Sequence, residues 1–98
     1  MPTFISLFGW TDQGIRKVKD TAERAEKFKS SIQKAGGSVK NFYWTMGRYD
    51  GVIVFEAPDD ATAAAVMMSG CSLGNVRTET LRAFTEEEIK GVIAKVQP

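Results

Sequence analysis

The pair Tyr49-Asp50 is the best candidate for chemistry in this sequence, because a phenol beside a carboxylate can orient a ligand hydroxyl or hold a proton. The same two residues also suit a turn, with Asp50 accepting backbone amide hydrogen bonds and Tyr49 packing over a sheet edge. Arg77 and Glu79 stand two positions apart, so on a strand they share a face. There they can hold an anionic or polar substrate, or simply form an inter-strand or inter-subunit ion pair. Tyr43 and Trp44 are adjacent and therefore point to opposite sides of a strand. One of them belongs to the core and the other meets a partner subunit or a small apolar ligand. Thr11, Asp12 and Arg16 can line a cleft between helix and sheet, although a helix cap with a first-turn acid accounts for the first two. Cys71 has no neighbouring base in sequence and reads as an unreactive thiol, while Met67-Met68 read as core filler.

The sequence contains no histidine, the usual general base and a common haem or metal ligand. One cysteine and scattered carboxylates give no metal-ligand spacing, so no metal and no cofactor are expected. Gly47-Arg48-Tyr49-Asp50-Gly51 joins two strands and opens no helix, unlike a phosphate-binding loop. Thirteen Lys and Arg against twelve Asp and Glu, with both signs spread along the chain, argue against a nucleic-acid partner. The apolar stretches are far shorter than the roughly 20 residues of a membrane span. A lone cysteine and an N-terminus unlike a signal peptide set cytoplasmic residence as the expectation.

The elements that must position these side chains follow from periodicity. Thr3–Phe8 reads as a first strand, followed by Gly9-Trp10-Thr11-Asp12 as turn and helix cap. Ile15, Val18, Ala22, Ala25, Phe28, Ile32 and Ala35 fall on one helical stripe, with Asp20–Arg24 and Glu23–Lys27 as i,i+4 pairs on the solvated face. Asp20-Thr21 can alternatively start a fresh helix, and Gly36-Gly37 ends the segment either way. Val39–Met46 is the second strand, with Phe42, Trp44 and Met46 on one face and Asn41, Tyr43 and Thr45 on the other. It forms a hairpin with Val52–Ala57, whose apolar character on both faces marks a central strand. Pro58-Asp59-Asp60 opens an alanine-rich helix that stops at Gly70, and Val76–Phe84 alternates like an edge strand. Thr85 and Glu88 have capping-box spacing before a last helix with Ile89, Val92, Ile93 and Val96 on one face.

This order, βαββαβ plus a C-terminal helix in one domain over residues 1–98, predicts an α+β ferredoxin-like fold. Its helices cover one face of a four-stranded antiparallel sheet. The other face, apolar and aromatic, needs a cover, and a second sheet in a homodimer or higher oligomer supplies one.

Four stretches resemble the GYD family, named for a Gly-Tyr-Asp motif, and the wider dimeric α/β-barrel group. They are Thr11-Asp12-Gln13-Gly14-Ile15-Arg16, Tyr43-Trp44-Thr45-Met46-Gly47-Arg48-Tyr49-Asp50, Glu56-Ala57-Pro58-Asp59-Asp60 and the run from Ser72 to Phe84. The naming triplet here reads Arg48-Tyr49-Asp50, with Gly47 the nearest glycine. The resemblance implies the fold and a dimer more than an activity, since related barrels include oxygenases, isomerases and ligand-sensing modules. The expectation is a cytoplasmic homodimeric small-molecule-binding or accessory protein, its ligand small and apolar or aromatic. Candidate ligand-binding residues are Tyr43, Tyr49, Asp50, Arg77 and Glu79. A cofactor-independent oxygenase or isomerase acting on an aromatic or quinone-like substrate is the enzymatic alternative, and a structural oligomerisation module is the third.

Overall fold

A computed structural model describes all 98 residues. The elements run β1 (Thr3–Trp10), α1 (Asp12–Arg16), a 3₁₀ turn (Val18–Asp20), α2 (Thr21–Lys34), β2 (Ser38–Trp44), β3 (Gly51–Glu56), α3 (Asp60–Cys71), β4 (Val76–Ala83) and α4 (Glu86–Ile93). Every strand pairing is antiparallel and the sheet order is β2-β3-β1-β4, so β3 is central as expected and β4 is an edge. This is the ferredoxin-like arrangement, with α2 and α3 on one face. No helix is long and apolar enough to cross a membrane.

Alternation decides which side chains enter the core. Phe4, Ser6 and Phe8 of β1 and Ile53 and Phe55 of β3 are buried beneath the helices, while Ile5, Leu7, Val52 and Val54 between them are half-exposed on the open face. Ala25, Ile32, Ala63 and Met67 come down from the helices. Phe55 stacks on Phe4 at 5.4 Å and meets Phe28 edge-on at 6.1 Å, an aromatic layer at the centre of the core. Ser6, fully buried, accepts a hydrogen bond from the Thr80 hydroxyl at 3.1 Å, which satisfies its oxygen. Met68 corrects the expectation of a buried methionine pair. One residue on from Met67 lies about 100° around the helix, and it is 71% exposed.

The first helical segment is broken at Asp20-Thr21, as the alternative reading allowed. Ile15 and Val18 consequently leave the stripe and are exposed, whereas Ala25 and Ile32 remain on the buried face of α2. The break also undoes one expected ion pair. Glu23–Lys27, inside α2, forms at 3.7 Å, but Asp20 sits in the 3₁₀ turn and Arg24 turns away from it. Instead Arg24 Nη2 donates to the Gly14 carbonyl and the Thr21 hydroxyl, each at 3.3 Å.

Caps follow the sequence closely. Thr11 accepts from the Gly14 amide and Asp59 from the Thr62 amide, and Thr85 with Glu88 closes a reciprocal capping box. The hydrogen bonds from Thr62 hold the Asp59 carboxyl below the usual carboxylate range. The Glu88 carboxyl is lowered too, first by the hydrogen bond from the Thr85 amide, then by the Thr85 side chain and by Arg82 nearby, against an opposing effect of burial. Gly14 permits a close backbone approach: a Cβ there would overlap the Asn75 carbonyl.

Candidate functional site

The segment Thr45–Asp50 between β2 and β3 is held by its own hydrogen bonds. The Thr45 amide donates to the Asp50 carbonyl at 2.8 Å and the Thr45 hydroxyl to the Tyr49 carbonyl at 2.7 Å. Gly47 has φ +111°, so the glycine preceding Arg48 supplies the left-handed residue of the turn. Asp50 then reaches out of the hairpin. Its amide donates to the Phe8 carbonyl and its Oδ2 accepts the Trp10 amide, both at 2.8 Å. These two bonds extend the β3–β1 pairing past Gly51, where the main chain of β3 has ended. Backbone amides are what the turn reading gave Asp50, but the amide belongs to a strand forty positions away and not to the hairpin itself.

Tyr49 crosses the end of the sheet, its hydroxyl donating to Glu79 Oε2 at 3.1 Å, with the Arg48 guanidinium 5.4 Å from its ring centre. Tyr49, Asp50 and Glu79 are thereby linked through one loop. Arg77 lies exposed on β4 opposite Gly9 and forms no ion pair with Glu79, whose carboxylate is taken by Tyr49. Tyr43 is remote from this group. The register Tyr43–Val52, Leu7–Val52 and Leu7–Glu79 puts Tyr43 and Glu79 in one row on the open face but on opposite edges. Three strand spacings separate them, about 14 Å.

The open face and the helix face present different surfaces. On the open face Tyr43 is 58% exposed beside Val52, Val54, Ile5, Leu7 and Leu81. On the helix face α2 and α3 diverge and leave a cleft of about 330 Å³. Its floor is Phe8, Phe42, Trp44 and Ile53, one wall is Thr21, Arg24 and Phe28 of α2, and the other is Val66, Met67 and Cys71 of α3. Phe42 stacks on Trp44 at 4.6 Å and meets Phe8 and Phe28 edge-on. At one end Cys71 Sγ lies 3.4 Å from Thr78 Oγ1. None of the five sequence-derived candidates lines this cleft.

Trp44 resolves the question that it shares with Tyr43. Trp44 takes the helix face and Tyr43 the open one, yet Trp44 remains 44% exposed because the cleft bares it. Arg24, Phe28 and Trp10 were not singled out as site residues in the sequence. The usable signal was the Asp20-Thr21 break, which removes the partner assigned to Arg24 and frees its guanidinium to face the cleft.

Comparison with known proteins agrees with this architecture. The crystal structure of TTHA0845 from Thermus thermophilus superposes with a TM-score of 0.55 at 28% identity, covering 87% of this chain and 95% of that one. A protein of the same organism named glutamine synthetase and cystathionine beta-lyase binding protein is 39% identical over 85 residues, which is 86% of this chain and 90% of that protein. The model of the GYD domain matches residues 4–93, and with nearly the whole sequence spanned the chain belongs to the GYD domain family.

Proposed function

We propose that this chain is an accessory binding protein that acts as a cytoplasmic homodimer and docks onto a metabolic enzyme. The observation that carries the reading is unpartnered apolar surface on two separate elements, taken with the relative named for binding two enzymes. The open sheet face is suited to a second copy, because a patch of two adjacent rows, Leu7 and Val52 in one and Ile5, Val54 and Leu81 in the next, can pack on its own image across a two-fold axis. Helix α4 is suited to the enzyme. It bears Ile93, 62% exposed, with Phe84 at its base, and it ends at Ile93, so Val96, expected on its apolar face, lies 69% exposed just beyond it.

The test is association with purified glutamine synthetase and cystathionine beta-lyase by calorimetry, with I93E-V96E as the control surface variant. Heat of binding that the double variant abolishes supports the proposal; no heat with either enzyme at about 50 µM refutes these partners. Light scattering checks the dimer, which L81E should convert to a folded monomer. A monomeric wild-type chain across the micromolar range refutes it.

The cleft supports a second, compatible reading, that the protein also binds a small apolar or aromatic ligand. Its volume lies near the lower end of ligand cavities, about 300–1,000 Å³, and its walls are mostly aromatic and aliphatic.

A further inference from the structure

We infer that the cleft between α2, α3 and the sheet binds a small ring-bearing carboxylate, its ring among the phenylalanines and its acid group on Arg24. This rests on the reading of the cleft as a ligand site and names the class of ligand.

Charge selects the class. The charged side chains lining the cleft are Arg24 and Lys27, with no Asp or Glu among them. Lys27 is exposed and paired with Glu23 at 3.7 Å, so its charge is already answered in solvent. Arg24 takes part in none of the ion pairs of the chain. Its two hydrogen bonds, to the Gly14 carbonyl and the Thr21 hydroxyl, are part-buried; they fix the guanidinium but supply no negative charge. A partly desolvated cation held by neutral acceptors retains the cost of its lost hydration, and an anion arriving beside it recovers that cost. Both bonds use Nη2, which leaves donors on the other guanidinium nitrogens for the forked geometry a carboxylate matches. One free guanidinium corresponds to one negative charge, hence a monoanion.

Shape selects the rest. Phe8 and Phe28 each meet Phe42 edge-to-face while Trp44 stacks on it, a cluster that receives a further ring by the same quadrupole matching. A cleft of about 330 Å³ holds a compact ring compound.

The experiment titrates the full-length protein with 4-phenylbutanoate and, separately, with its neutral amide 4-phenylbutanamide. Both tryptophans, Trp10 and Trp44, line the cleft, so intrinsic fluorescence reports occupancy there and calorimetry gives affinity. The acid is expected to bind about tenfold tighter than the amide, the scale of one charge-assisted contact. R24Q should bring the two within about twofold of each other by weakening the acid alone, and R24K should restore part of the gap. Far-UV circular dichroism verifies the fold of both variants. Should R24Q not fold, the wild type carries the same test, because added salt should weaken the acid and leave the amide unchanged. Equal, salt-insensitive affinities overturn the assignment of the acid group and leave the cleft a ligand site. Failure of both probes to bind at millimolar concentration overturns the inference and the ligand-site reading together.

Discussion

Replacing Asp50 with alanine removes a single carboxylate and tests whether that carboxylate clasps β1 to the β2–β3 turn. The bond at stake is the Trp10 amide to Oδ2 at 2.8 Å, partly buried and charge-assisted. Such bonds contribute about 1.5–3 kcal/mol, and partial solvation of this site argues for the lower end, about 1.5–2 kcal/mol. For a domain of this size that loss lowers the melting temperature by about 10 °C. The main-chain bond from the Asp50 amide to Phe8 is untouched by the substitution, so the pairing loosens without disappearing. D50N keeps an oxygen acceptor without the charge and should lose about half as much. Urea denaturation followed by tryptophan fluorescence measures both variants, and hydrogen exchange of the Trp10 amide localises the effect. A loss under about 0.5 kcal/mol for D50A, or unchanged protection of that amide, would refute the clasp. Y49F is the companion control. It removes an exposed bond to Glu79 at 3.1 Å and should cost no more than about 0.5 kcal/mol.

G14A should destabilise the fold by about 1–3 kcal/mol, because the added methyl meets backbone and not a movable side chain. In G70A a Cβ meets nothing within 4 Å at the end of α3, so the helix should gain up to about 1 kcal/mol; chemical denaturation of the pair decides, and equal effects would dismiss the packing argument. Acid should unfasten the starts of α3 and α4. Asp59 and Glu88 have lowered pKa values, so the unfolded chain binds more protons, and their contribution, complete above about pH 5, is lost as pH falls through the folded values. D59N and E88Q should flatten the fall of melting temperature on acidification, and wild-type slopes in both would defeat this linkage.

Strand existence was legible from composition: β-branched and aromatic residues mark Thr3–Phe8 and an apolar run marks Val52–Ala57. Which face is buried was less so, because Ser6 shares the buried face with Phe4 and Phe8 while Ile5 and Leu7 lie on the open one. Caps were legible because Thr85 and Glu88 interact within four residues. What sequence alone left open depends on contacts distant along the chain. Asp50 bonds a residue forty positions away, and Tyr49 one thirty positions away. The cleft was the least legible feature. It exists because α2 and α3 diverge over the sheet, and the spacing of two helices is set by the sizes of side chains that meet only after folding. Its unpaired cation was hidden by a helix period that continued, on paper, through the turn at Asp20.

Pairing between β1 and β4 sets the order in which this molecule can assemble. Thr3 lies opposite Ala83 and Trp10 opposite Val76, separations of 80 and 66 positions, whereas β2 and β3 are joined by a short turn. The hairpin can close on the microsecond scale, but the β1–β4 seam must wait for the largest loop in the chain to be gathered, at greater entropic cost. Until it does, β1 has an unsatisfied edge carrying Phe4 and Phe8, and Ser6 lacks the Thr80 hydroxyl. A late-forming seam of this kind leaves the partly folded chain a template for foreign strands, an exposure that the finished domain no longer has along β1.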